Sequence, residues 1–139
     1  MVVPDKDASV AVMRGALATA GLVPADIDYI NTHGTATMIG DPIEMRAIQE
    51  VFGNAPAINS TKSQTGHMVG ATGAVEIIFT SMMIENNFIS PSLNLENPEE
   101  EFKSADFVLE TRKNVNIKHA LSNSFAFGGS NVSLLISAV

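Results

Sequence analysis

A chain of 139 residues has room for one domain with its own core, and 45% hydrophobic against 17% charged residues is a globular balance. A formal charge of −7 argues against nucleic-acid binding, and the absence of cysteine excludes disulfides, thiolate zinc sites and a cysteine nucleophile within the chain. No apolar run is long enough for a membrane span and the N-terminus carries no signal-peptide core, so a soluble cytoplasmic protein is expected.

In chain order, residues 7–20 carry Val10, Met13, Leu17 and Ala20 at helical spacing, with Gly21 as the stop. The run Ile27–Ile30 reads as a short strand. The next helix starts at Asp41-Pro42-Ile43-Glu44, where Asp41 is expected to cap, Pro42 suits the first turn and Glu44 completes a capping box. Ile43, Ala47, Ile48, Val51 and Phe52 form its apolar stripe, closed by Gly53. Residues 56–62, PAINSTK, predict a second strand, and the glycine-rich TGHMVGATG opens a helix over about 70–86. From 88 onward the chain reads as loop, ending in strands DFVLET, HALSNSF and NVSLLISA. The last two are expected to form a hairpin across AFGGSN. Strand, loop and helix in repetition indicate an α/β layered domain with a mixed sheet.

The helix at 74–85, AVEIIFTSMMIE, is apolar around its whole circumference. Such a helix is normally buried on all sides, and a domain this size leaves one face wet. Either a second domain or chain covers it, or its own domain wraps it completely. Glu76 sits among its apolar neighbours and needs a partner if it is buried. Lys62 stands in a loop otherwise free of charge.

His33 and His67 both follow an expected strand, in polar loops bordered by glycine. Strand ends of this kind are favoured ligand sites. With Lys62 nearby, a structural and a catalytic reading of the two imidazoles weigh about equally. His119 has no such context and reads as structural. No H-E-x-x-H, P-loop or G-x-S-x-G is present. Two imidazole donors on one oxygen would stabilise an enolate or oxyanion by roughly 3–4 kcal/mol each.

Three motifs in register, NTHGTATMIGDPIE, STKSQTGHMVGATGAVE and SNSFAFGGSN, closely resemble the C-terminal half of β-ketoacyl-[acyl-carrier-protein] synthases. The resemblance covers nearly the whole chain, read as a single domain over 1–139. It implies a thiolase-like fold, of which this chain is half of an αβαβα body that dimerises, with the apolar helix in the central layer. It implies condensation of acyl and malonyl thioesters delivered by acyl carrier protein, with the nucleophilic cysteine on an N-terminal half outside this chain. The isolated chain is then expected to be inactive.

By the same resemblance His33, His67 and Lys62 are catalytic, with Glu76 supporting Lys62. Thr35 and Thr37 bind the pantetheine arm, and Phe127 gates the acyl pocket. No cofactor is required, although some members hold a structural monovalent cation where Asn31, Glu76, Ser122 and Asn123 fall. Ala126 replaces a common glycine before the gate, with altered gating expected. Ala36 and Thr72 also depart from the usual small residues, with no consequence expected. A non-catalytic module that pairs with another synthase-like chain is the alternative.

Overall fold

The computed structural model describes residues 5–126 and 128–139. Helix α1 (Lys6–Ala20) is capped by Asp5, whose carboxylate accepts from the N–H groups of Asp7 and Ala8. It ends at Gly21, in the left-handed conformation that glycine adopts without penalty. Strand β1 (Tyr29–Asn31), helix α2 (Gly40–Phe52) and strand β2 (Ala57–Asn59) follow. The one-turn helix α3 (Lys62–Thr65) then leads to α4 (Thr72–Glu85). The remaining strands are β3 (Phe88–Ile89), β4 (Asp106–Phe107), β5 (Arg112–Lys113), β6 (His119–Phe125) and β7 (Asn131–Ser137).

The main sheet has strand order β4-β2-β1-β6-β7. Its first four strands are parallel and β7 closes one edge antiparallel to β6, the expected hairpin. Helices α1 and α2 cover one face through Met13, Leu17, Ala47, Ile48 and Val51, packed on Ile30, Ile58 and Leu121. Helix α4 covers the other, where Met83 and Ile84 meet Tyr29, Ala57 and Ala120. The expected stripe of α1 holds except at Ala20, which is exposed.

Several expected elements are shorter than their apolar runs. The strand over 56–62 keeps only Ala57–Asn59, because Lys62 already begins α3. The run from Asp106 yields two strand residues. Phe88–Ile89, placed in a loop by the sequence, pairs antiparallel with Arg112–Lys113. Arg112 spends its charge on a bidentate bond to Asp106, at 2.7 and 2.6 Å.

Helix α4 is inside out. Its buried row is Thr72, Glu76 and Thr80 at i, i+4, i+8, continued by Met83, while Ile78 is 58% and Met82 48% exposed. Complete wrapping by its own domain is therefore excluded within this chain. The apolar residues that surround the axis divide between a sheet-facing end and an open outer face.

The start of α2 corrects the capping expectation. The helix begins one residue earlier, and Asp41 lies in its first turn, accepting from the N–H of Thr37 at 3.3 Å. Glu44 turns inward and is 4% exposed. Its two oxygens accept from the backbone N–H groups of His33 and Gly34, each at 2.9 Å, and Asn123 Nδ2 donates from 3.3 Å. Burial pushes this carboxyl up to about 7 against the pull of the three donors. Within the same loop Gly34 has φ 34°, and a Cβ there would stand 2.7 Å from Ser60 Cβ. Ala36 has φ 60°, so the departure from a small residue that looked inconsequential places a Cβ in the left-handed region.

Two outcomes follow for this connection in urea unfolding of the chain. Glu44→Gln presents an amide to one of the two N–H donors and should cost about 1–3 kcal/mol. Ala36→Gly relieves the backbone, offset by the entropy of glycine, and should stabilise by about 0.5–1 kcal/mol.

Candidate functional site

The parallel strands deliver the site residues from their C-terminal ends, where the sheet leaves a crevice. His33 follows β1 after Thr32, which is tied to β2 through its N–H and hydroxyl, both donated to Asn59 O, at 2.9 and 3.0 Å. Lys62 opens α3 directly beyond β2, and His67 lies between α3 and α4. The two imidazoles meet edge to face with centroids 5.5 Å apart and planes at 88°. Phe125, ending β6, flanks His33 at 6.0 Å.

Beneath the imidazoles lies an ion pair. Lys62 Nζ donates to Glu76 Oε1 at 2.5 Å, with side chains 4% and 1% exposed. The other oxygen of Glu76 is buried without a hydrogen-bond partner among the described residues. Burial raises the Glu76 carboxyl while the Lys62 ammonium holds it down. The same polar layer contains Asn31, whose amide donates to Thr61 and Thr80, and Tyr29, whose hydroxyl donates to Asn59 Oδ1.

The two histidines sit in different surroundings. Burial, then the positive charge of Lys62, then His67, push the His33 imidazole down to about 4. At neutral pH it is an uncharged ring, with Nδ1 buried and unpartnered among the described residues. His67 is exposed in this chain, and its Nδ1 lies 3.1 Å from the Thr72 hydroxyl. A neutral imidazole has one N–H to offer a substrate oxygen when the proton is on the outward nitrogen.

A groove of about 460 Å³ runs alongside, lined by Thr35, Asp41, Glu44, Ser60, Lys62 and His67 among others. Thr35 is half-buried in its wall. Thr37 is exposed, outside the wall, and its hydroxyl accepts from the N–H of Gly40. The expected gate, Phe127, lies outside the described residues. His119 bonds Ser137 through Nδ1 at 2.8 Å, away from the imidazole pair.

Of the four residues assigned to a monovalent cation, three share a face and one does not. Asn31 and Ser122 are register partners on the α4 face, where Glu76 also lies. Asn123, one residue later in β6, points to the opposite face, bonding Glu44 and accepting from Ser133 at 2.8 Å. Asn31 Oδ1 already accepts from Thr61. The Asn123 side chain therefore shares no centre with the other three, while the Glu76 oxygen unpartnered among the described residues lies on their face.

Two residues of the site escaped the sequence pattern. Glu44 looked like an ordinary capping-box acid, and only its place one turn inside α2 aims it at the His33 loop. Thr72, set aside as an inert departure, reaches His67. Its spacing of five from the histidine across a helix start carried no signal by itself.

The family described as "Beta-ketoacyl synthase, C-terminal domain" matches residues 1–96. The chain is 47% identical over 136 residues to 3-oxoacyl-[acyl-carrier-protein] synthase 1 of Haemophilus influenzae, covering 97% of this chain and 33% of that protein. It is 43% identical over 139 residues to 3-oxoacyl-[acyl-carrier-protein] synthase 2 of Coxiella burnetii, with 98% and 33% covered. Among solved structures, a β-ketoacyl synthase from Burkholderia phymatum superposes with a TM-score of 0.95 at 37% identity, covering all of this chain and 34% of that one. A type II polyketide ketosynthase solved with its acyl-carrier protein gives a TM-score of 0.91 at 30% identity, with 100% and 35% covered. The chain thus spans about a third of the length of the curated relatives it matches. Its architecture is that of the thiolase-like ketosynthases, and the chain belongs to the β-ketoacyl synthase family, corresponding to its C-terminal part.

Proposed function

We propose that this chain supplies the His33, His67 and Lys62 part of a decarboxylative Claisen condensation between acyl and malonyl thioesters in fatty-acid synthesis. The observation that carries the reading is the perpendicular imidazole pair, 5.5 Å between centroids, above a buried Lys62–Glu76 ion pair. The nucleophilic cysteine that holds the acyl group lies outside the chain, which alone does not complete the reaction. Acyl carrier protein as thioester carrier, a dimeric assembly and a cytoplasmic location belong to the same reading. The carrier draws support from the curated relatives' names. Among the described residues no helix is long and apolar enough to cross a membrane.

In the proposed step the malonyl carboxylate leaves as carbon dioxide. The electron pair of the broken carbon–carbon bond moves onto the thioester carbonyl, and N–H groups of His33 and His67 bond the enolate oxygen. The enolate carbon then attacks the carbonyl of the acyl-cysteine, and the thiolate leaves. An uncharged His33 suits this role, because the ring donates while keeping its proton. Lys62 contributes by its charge, one of the causes that keep His33 neutral. Glu76 holds Lys62 in place, and Glu44 fixes the backbone that carries His33.

The test uses a whole enzyme in which this chain replaces the corresponding C-terminal third of the Haemophilus influenzae relative. His33→Ala and His67→Ala should each slow malonyl decarboxylation and condensation by about 100- to 1,000-fold while leaving acylation of the cysteine measurable. Full condensation rates in both variants would remove the oxyanion role.

The low value for His33 also has a stability consequence with a definite sign. The folded ring binds its proton less readily than an unfolded imidazole, whose ordinary value is 6.5. Its contribution is complete above 6.5 and is lost as pH falls through about 4. Glu44, raised to about 7, has the opposite slope, with its contribution complete below 4.5 and lost as pH rises through 7. Urea midpoints from pH 4 to 6.5 should therefore rise less steeply with pH in His33→Gln than in the parent chain, and an NMR titration should place the His33 transition near 4.

A further inference from the structure

We infer that Thr72 is a positioning residue that fixes the neutral His67 ring in the tautomer with its proton on Nε2. The inference rests on the reading of His67 as a donor to the substrate oxygen, and it names the group that prepares the ring for that task.

Thr72 is the first residue of α4 and is 3% exposed. Its hydroxyl lies 3.1 Å from His67 Nδ1, and this is its single hydrogen bond among the described residues. Two threonines in other helices behave differently. Thr19 donates to the carbonyl of Gly15 at 2.9 Å, and Thr65 reaches the carbonyl of Thr61 at 3.4 Å, both four residues back. The equivalent carbonyl for Thr72 is that of Met68, to which its hydroxyl makes no hydrogen bond. The hydroxyl is turned to the ring.

That leaves one arrangement in which every hydrogen is used. A hydroxyl hydrogen at a buried site requires an acceptor, and the acceptor in reach is Nδ1. Were Nδ1 protonated, the hydroxyl would accept and its own hydrogen would be left unbonded. Donation from Thr72 places the ring proton on Nε2, on the side of the ring away from α4. The residue is exposed here, and the ring stands perpendicular to His33. The contact also ties the ring to the N-terminal turn of a helix whose next inward residues, Glu76 and Thr80, are locked into the polar layer.

The test has two arms. In ring-nitrogen NMR of the chain, His67 should carry its proton on Nε2 with Nδ1 as a hydrogen-bonded acceptor. Thr72→Val, which keeps the shape and removes the hydroxyl, should lose the hydrogen-bonded Nδ1 signature and raise the share of the Nδ1–H form, and Thr72→Ser should restore the parent spectrum. A parent ring protonated on Nδ1, or a Thr72→Val spectrum identical to the parent's, overturns the inference. In the whole enzyme described above, Thr72→Val should lower kcat by roughly tenfold with KM little changed, and Thr72→Ser should recover it. If the spectrum changes as expected while kcat does not, the tautomer assignment stands and the oxyanion role of His67 falls. If kcat falls while the spectrum is unchanged, Thr72 acts by some other route and the inference fails.

Discussion

The buried pair of Lys62 and Glu76 is the constraint on which the site depends. Two charges removed from water are tolerated only when each answers the other, and breaking such a pair is far costlier than its net contribution suggests. The pair joins α3 to α4, which is the segment carrying His67. It also sets the local potential felt by His33, whose ring stays uncharged partly because an ammonium already occupies the neighbourhood. A lysine placed for packing alone would not need a carboxylate inside a helix of isoleucine, phenylalanine and methionine.

Around that pair, each imidazole is prepared by a different device. His33 is held through its backbone: Glu44 accepts from its N–H and from that of Gly34, so the loop is clamped without touching the ring. His67 is held through the ring itself, by the Thr72 hydroxyl. The first device reaches across from the α1–α2 layer and the second comes from α4. The site is thus a joint product of both faces of one sheet, and that explains why it sits at the strand ends where the two layers meet.

Much of this was legible in the residues. Two histidines in matched loops, one lysine in an uncharged stretch and one glutamate in an apolar helix are few enough to be paired by elimination, and the structure pairs them. The resemblance to the condensing enzymes likewise covered the whole fold. Helix existence followed from periodicity, yet strand length did not, since Val, Ile and Phe beyond a pairing edge look the same in sequence as those within it. The inward turn of Glu44 depends on a one-residue shift in helix start, which local capping chemistry does not resolve. The backbone angle of Ala36 has no local signature. The separation of Ser122 from Asn123 could have been read in advance, because neighbours in a strand face opposite ways.

The inverted polarity of α4 opens the chain's stability to mass action by whatever would cover its outer face. Surface that stays wet in the folded chain adds nothing to the heat capacity or denaturant response of its unfolding. The open row around Ile78 and Met82 belongs to that category. Any body that covers the row binds the folded form alone, so the measured melting temperature becomes a function of that body's concentration. Thermodynamically, such a body would give the helix at the centre of the site a second, shared equilibrium beside its internal one.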